Sequence, residues 1–77
     1  MDESLLLDRL SAFLSTQRVK NLCRQYRTDP MDALGVLYER LAPSAKMKAI
    51  VNPAAWVASN GYGVVQNWLR REVRTLV

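Results

Sequence analysis

The chain has 77 residues, a net charge of +4 and an apolar fraction of 49%, enough for one small core and too little for two. A domain of this size buries only about 60% of the surface its unfolded chain exposes, so its stability is marginal without a partner. With no histidine and a single cysteine, Cys23, the sequence excludes an internal disulfide and argues against a zinc site or any other metal or cofactor centre.

Leu5-Leu6-Leu7 is too short to be a signal sequence, and Asp2, Glu3, Asp8 and Arg9 surround it. No run approaches the roughly 20 apolar residues that span a bilayer. A soluble, cytoplasmic protein with no membrane partner is expected, and the cysteine usage fits a reducing compartment. Charge is unevenly placed. Residues 1–40 hold six acids and six bases, whereas residues 41–77 hold five bases (Lys46, Lys48, Arg70, Arg71, Arg74) against one acid, Glu72. A one-sided basic excess attracts polyanions such as nucleic acid, although bases near a helix C-terminus also complement its dipole.

Residues 4–26 read as helical. Leu6, Leu10, Phe13 and Leu14 share one stripe, and Val19, Leu22, Cys23 and Tyr26 share another. Between them Ser15-Thr16-Gln17-Arg18 loses the period, and a hydroxyl there can cap a new helix; one long helix and two short ones both fit. Cys23 lies on the apolar stripe and reads as a small buried hydrophobe. Next, Asp29 is a natural N-cap with Pro30 at the first helical position, and Asp32 adds charge near the positive end of the dipole. Met31, Leu34, Leu37, Tyr38 and Leu41 form the stripe of this helix, which Pro43 is expected to end. Gly35 costs the helix about 1 kcal/mol against alanine and reads as a point of close helix approach. Residues 43–51 read as a connector exposing Lys46 and Lys48, with one short turn.

Asn52-Pro53 repeats the start signal. Asn60-Gly61-Tyr62-Gly63 then interrupts a helical pattern with a hairpin-like pair. The flanks do not alternate, and a lone hairpin is marginal in water. A helix kinked or broken near Gly61 is the better reading. Val57, Gly61, Val64, Val65, Trp68, Val73 and Leu76 then fall on one side, with Ser59, Gly63, Gln66, Asn67, Arg70 and Arg74 on the other. The fold class is all-α, a compact bundle of three to four helices forming a single domain over residues 1–77.

Catalysis has little to work with: no histidine, no paired carboxylates in the basic half, and no positioned nucleophile beyond the neighbours Ser44 and Lys46. The glycines of NGYG lack the lysine and hydroxyl of a phosphate loop. Neither an enzyme nor a small-molecule substrate is expected. The polar side of the last helix is better suited to DNA, because Asn60, Gln66 and Asn67 can read base edges. Arg70, Arg71 and Arg74 can grip phosphates, and Trp56 and Tyr62 can stack on unpaired bases. The bland alternative makes the tryptophans core anchors and the arginines solvated.

The order of signals, an amphipathic helix, then DPMDALGVLYERL, a loop, NPAAWV and a final helix ending WLRRE, resembles region 2 of bacterial RNA polymerase sigma factors, particularly the extracytoplasmic-function type. The resemblance covers nearly the whole chain and rests on helix order and a few positions. It implies that Asp32, Leu37, Tyr38, Arg40 and Leu41 dock on the polymerase core. It also implies that Trp56, Asn60, Tyr62, Gln66, Arg70 and Arg74 face the promoter −10 element. Gly35-Val36 replaces the polar pair usual there, and Tyr62 alone stands where strand-separating aromatics gather. With no second domain for the −35 element, the expectation is an accessory, co-regulator or antagonist of transcription. The rival from a different class is a protein-interaction module that binds another protein or a second copy of itself. Gly35 and Val36 on an otherwise polar part of their helix favour that rival.

Overall fold

The computed structural model describes residues 1–73, which hold four α-helices: α1 (Glu3–Leu14), α2 (Gln17–Arg24), α3 (Leu34–Met47) and α4 (Pro53–Trp68). A 3₁₀ turn, Pro30–Ala33, leads into α3, and a π-helical turn, Leu69–Val73, continues α4. Among the described residues there is no strand, and no helix is long and apolar enough to cross a membrane.

Short polar side chains start three of these elements by accepting backbone N–H groups that the first turn leaves free. Asp2 accepts from Leu5 at 2.7 Å, Asp29 from Met31 at 2.9 Å and Asn52 from Ala55 at 3.2 Å. Pro30 and Pro53 occupy first-turn positions where a missing N–H costs nothing. The first apolar segment is two helices. Its hydroxyls work backward, however: Ser15 donates to the Ser11 carbonyl and Thr16 to the Phe13 carbonyl. They close α1, and Thr16 makes no side-chain cap on α2. Arg27, at φ 52°, reverses the chain after α2 while Thr28 N–H donates to the Cys23 carbonyl at 3.1 Å, an end more often built on glycine.

Helices α1, α3 and α4 pack against one another in pairs. Their core contains Leu6, Leu10 and Leu14 from α1, Leu37, Leu41 and Ala45 from α3, Val57 and Val65 from α4, and Leu69 from the π turn. Helix α2 adds Val19, Leu22 and Cys23 and rests on α1 and the 3₁₀ turn. The Met1 amino group donates to the Ala45 carbonyl, so α1 begins where α3 ends. Val36 and Arg40, early in α3, face Val64, Trp68 and Arg71, late in α4. Both pairs are therefore antiparallel, and α2 lies by the 3₁₀ turn where α3 begins, with Arg18 reaching Tyr62 midway along α4.

Four expectations need correction. α4 runs without interruption through Gly61 and Gly63; its irregular winding comes later, in the π turn. A methyl group at Gly61 would sit 2.9 Å from Phe13 Cε2, so this glycine is where α4 closes on α1. Gly35, by contrast, faces open space and is not a point of helix approach. Pro43 lies inside α3, which runs on to Met47. Proline there forfeits only one bond, to the Glu39 carbonyl a turn back, and buried Ala42 and Ala45 hold the last turns on the core. Met31 is 46% exposed, because the 3₁₀ winding turns it off the stripe. Leu76, also assigned to the apolar side, lies outside the described residues.

Cys23 is fully buried, and desolvation, helped by the Asp29 carboxylate, pushes its thiol pKa up. A raised folded-state pKa favours the neutral thiol. Its contribution is complete below the unfolded thiol's range near about pH 8.5 and is lost as pH rises through the folded value. Iodoacetamide at neutral pH is expected to leave native protein unlabelled and to label it fully in denaturant. Labelling at the same rate in both states would refute the burial.

Candidate nucleic-acid interface

The outward face of α4 and its π turn carries Ser59, Asn60, Gly63, Asn67, Arg70 and Arg71, all exposed. It forms because Val57, Gly61, Val65 and Leu69 take the core side, which leaves the amides and arginines no other direction. From residue 41 to residue 71 there is no aspartate or glutamate. The face is therefore polar with a cationic excess, Arg70 and Arg71 against the exposed Glu72 that follows them in the π turn.

The individual side chains are less free than their exposure implies. Asn60 Nδ2 donates to the Trp56 carbonyl of its own helix at 2.8 Å, leaving its amide oxygen to accept from outside. Trp56 is half-buried and packs against the core, as the core-anchor reading expects, with part of its ring left exposed. Tyr62 is half-buried, and the Arg18 guanidinium lies 3.9 Å above its ring centroid. One face of that ring is thus occupied by a cation–π contact and is closed to a stacking base. Gln66 is half-buried, while Asn67 is exposed. Arg74 lies outside the described residues. Arg18 was not singled out from the sequence, since nothing local pairs residues 44 apart. Only the fold brings α2 onto α4.

Beside this face, a cleft of about 230 Å³ separates α3 from the end of α4, lined by Val36, Arg40, Val64, Asn67, Trp68, Arg71 and Glu72. It joins part of the expected polymerase-docking set to part of the expected DNA-binding set. The rest of the docking set is divided. Asp32, Gly35 and Arg40 are exposed and Val36 half-buried, but Leu37 and Leu41 are in the core and cannot meet a partner, which corrects their assignment. Tyr38 is half-buried, and its hydroxyl donates to Glu3 across the α1–α3 contact. That hydrogen bond, then desolvation and the nearby charge, raises its pKa.

Among the described residues the ion pair is Arg9–Asp8, at 3.5 Å and solvent-facing. Arg40, Arg70 and Arg71 have no carboxylate within bridging distance there. No group of three histidine, cysteine or carboxylate side chains gathers to hold a metal among the described residues. Comparisons with protein-family models, with curated proteins and with solved structures gave no match.

Proposed function

We propose that this protein regulates transcription by binding DNA through the outward face of α4, acting beside RNA polymerase as the resemblance to sigma region 2 implies. The observation that carries the reading is the composition of that face: Asn60, Asn67, Arg70 and Arg71 exposed together, with no acid from residue 41 to residue 71. Arginines supply phosphate contacts independent of sequence, and amides supply base-edge contacts that depend on it. The α3–α4 cleft places Arg40 and Val36 next to Arg71, so a polymerase surface gripping α3 would lie beside DNA held by α4.

The test is a titration of labelled promoter-like duplexes at several salt concentrations, followed by purified polymerase core. Binding that weakens steeply with salt is expected, along with co-elution of the polymerase core. No binding at about 50 mM salt, where phosphate contacts are strongest, would sink the DNA reading.

A protein-interaction module is the second reading, and a specific observation favours it. Met47 and Val51, flanking the α3–α4 turn, are 87% and 98% exposed. Large apolar side chains left this exposed on either side of one loop are candidates for burial by a partner. Absence of DNA binding together with a dimer in sedimentation would turn the conclusion to this reading.

A further inference from the structure

Summed over the first forty residues the charges cancel, which conceals how they are distributed on the surface. No aspartate or glutamate occurs from Arg9 to Thr28. The inward side of α2 is Val19, Leu22 and Cys23. Its outward side is Gln17, Arg18, Lys20, Asn21, Arg24 and Gln25, all exposed. Gln17 donates to Asn21 at 2.8 Å along that side. Arg18, Lys20 and Arg24 have no carboxylate partner among the described residues.

We propose that α2 is a second surface gripping the phosphodiester backbone, joined to α4 where Arg18 lies on Tyr62, so that both helices hold one nucleic acid. This rests on the reading that α4 binds DNA. Two observations carry it. The outward side of α2 holds only cations and amides. The 3.9 Å contact between Arg18 and Tyr62 makes the two helix surfaces adjacent. A protein partner fits this face poorly, because interface cores are apolar and α2 shows no apolar side chain outward. Duplex DNA suits it well, because it presents one negative charge per roughly 1.7 Å of axis and meets closely set cations without exact registration.

The test compares two charge-matched double variants. Lys20→Ala with Arg24→Ala removes two cations from α2. Lys46→Ala with Lys48→Ala removes two exposed cations at the opposite end, where α3 finishes. Alanine is a good helix former, and thermal melts check that both variants fold. Anisotropy of a labelled duplex is read across salt concentration. The α2 variant is expected to bind about tenfold more weakly and to lower the slope of log affinity against log salt by about 2, close to 0.9 per lost contact. The control should keep a slope near that of the wild type.

An unchanged slope in the α2 variant, or an equal fall in the control, overturns the proposal while leaving the α4 reading intact. Wild-type protein that fails to bind at about 50 mM salt overturns both. Polyglutamate displacing DNA as well as unlabelled duplex does, charge for charge, would assign α2 to an acidic protein and overturn it too.

Discussion

Gly61→Val is expected to destabilise the fold by about 2–3 kcal/mol, the cost of overpacking a closed contact, whereas Gly63→Ala stabilises it by about 0.5–1 kcal/mol. The two glycines are two residues apart in one helix, and a helix-propensity argument alone treats them alike. Packing separates them. A Cβ at Gly61 would meet Phe13 at 2.9, 3.3 and 3.4 Å, and Phe13 is itself in the core. Three ring atoms at that range cannot all be relieved by a small rotation. At Gly63 nothing lies within 4 Å, so alanine brings only its better helix propensity. For a chain of this length the changes correspond to melting shifts of about 10–20 °C downward and about 3–6 °C upward. Equal effects of the two substitutions, measured by thermal or urea unfolding, would mean that α4 does not close on α1 at this point.

The same pair illustrates which parts of the fold could be read from sequence. Helix starts were legible because they are local: Asp29-Pro30 and Asn52-Pro53 carry their own chemistry within four residues. The apolar stripes of α1 and α2 were legible because burial imposes a period near 3.6. Pro43 misled because its local cost is outweighed by the burial of Ala42 and Ala45 around it. Gly61 misled in the opposite sense. A residue that weakens an isolated helix is required here by a neighbour 48 positions away, and no local rule contains that neighbour.

The candidate site divides along the same line. Asn67 and Arg70 face outward as the periodicity predicts, and Arg71, which the periodicity did not place, is exposed beside them. Leu37 and Leu41, drawn into the docking set by resemblance, belong to the core stripe on which the same sequence reading placed them. Arg18 came from neither source. Its role follows from a contact between α2 and α4 that exists only once the bundle is assembled.

Arg70→Ala combined with Arg71→Ala is expected to weaken DNA binding about 100-fold, near 1.4 kcal/mol for each tenfold step, and to do so equally for every duplex tested. Both side chains are exposed and without carboxylate partners among the described residues, so their removal costs the fold little and, on the proposed DNA-binding reading, removes two phosphate contacts. The slope of log affinity against log salt should fall by about 1.8. Asn67→Ala should behave differently. Its side chain is exposed with neither donor nor acceptor engaged by the described protein groups, which makes it the least engaged of the amides proposed to read bases on α4. Asn60 already spends a donor on the Trp56 carbonyl, and Gln66, one of the six residues the resemblance points toward the promoter, is half-buried. Loss of the Asn67 amide should therefore cost about 1–3 kcal/mol on the preferred sequence only, with the salt slope unchanged. A uniform loss from Asn67→Ala would remove base reading from α4. An Arg70/Arg71 variant that keeps the wild-type salt slope would show that the phosphate grip lies elsewhere on the protein.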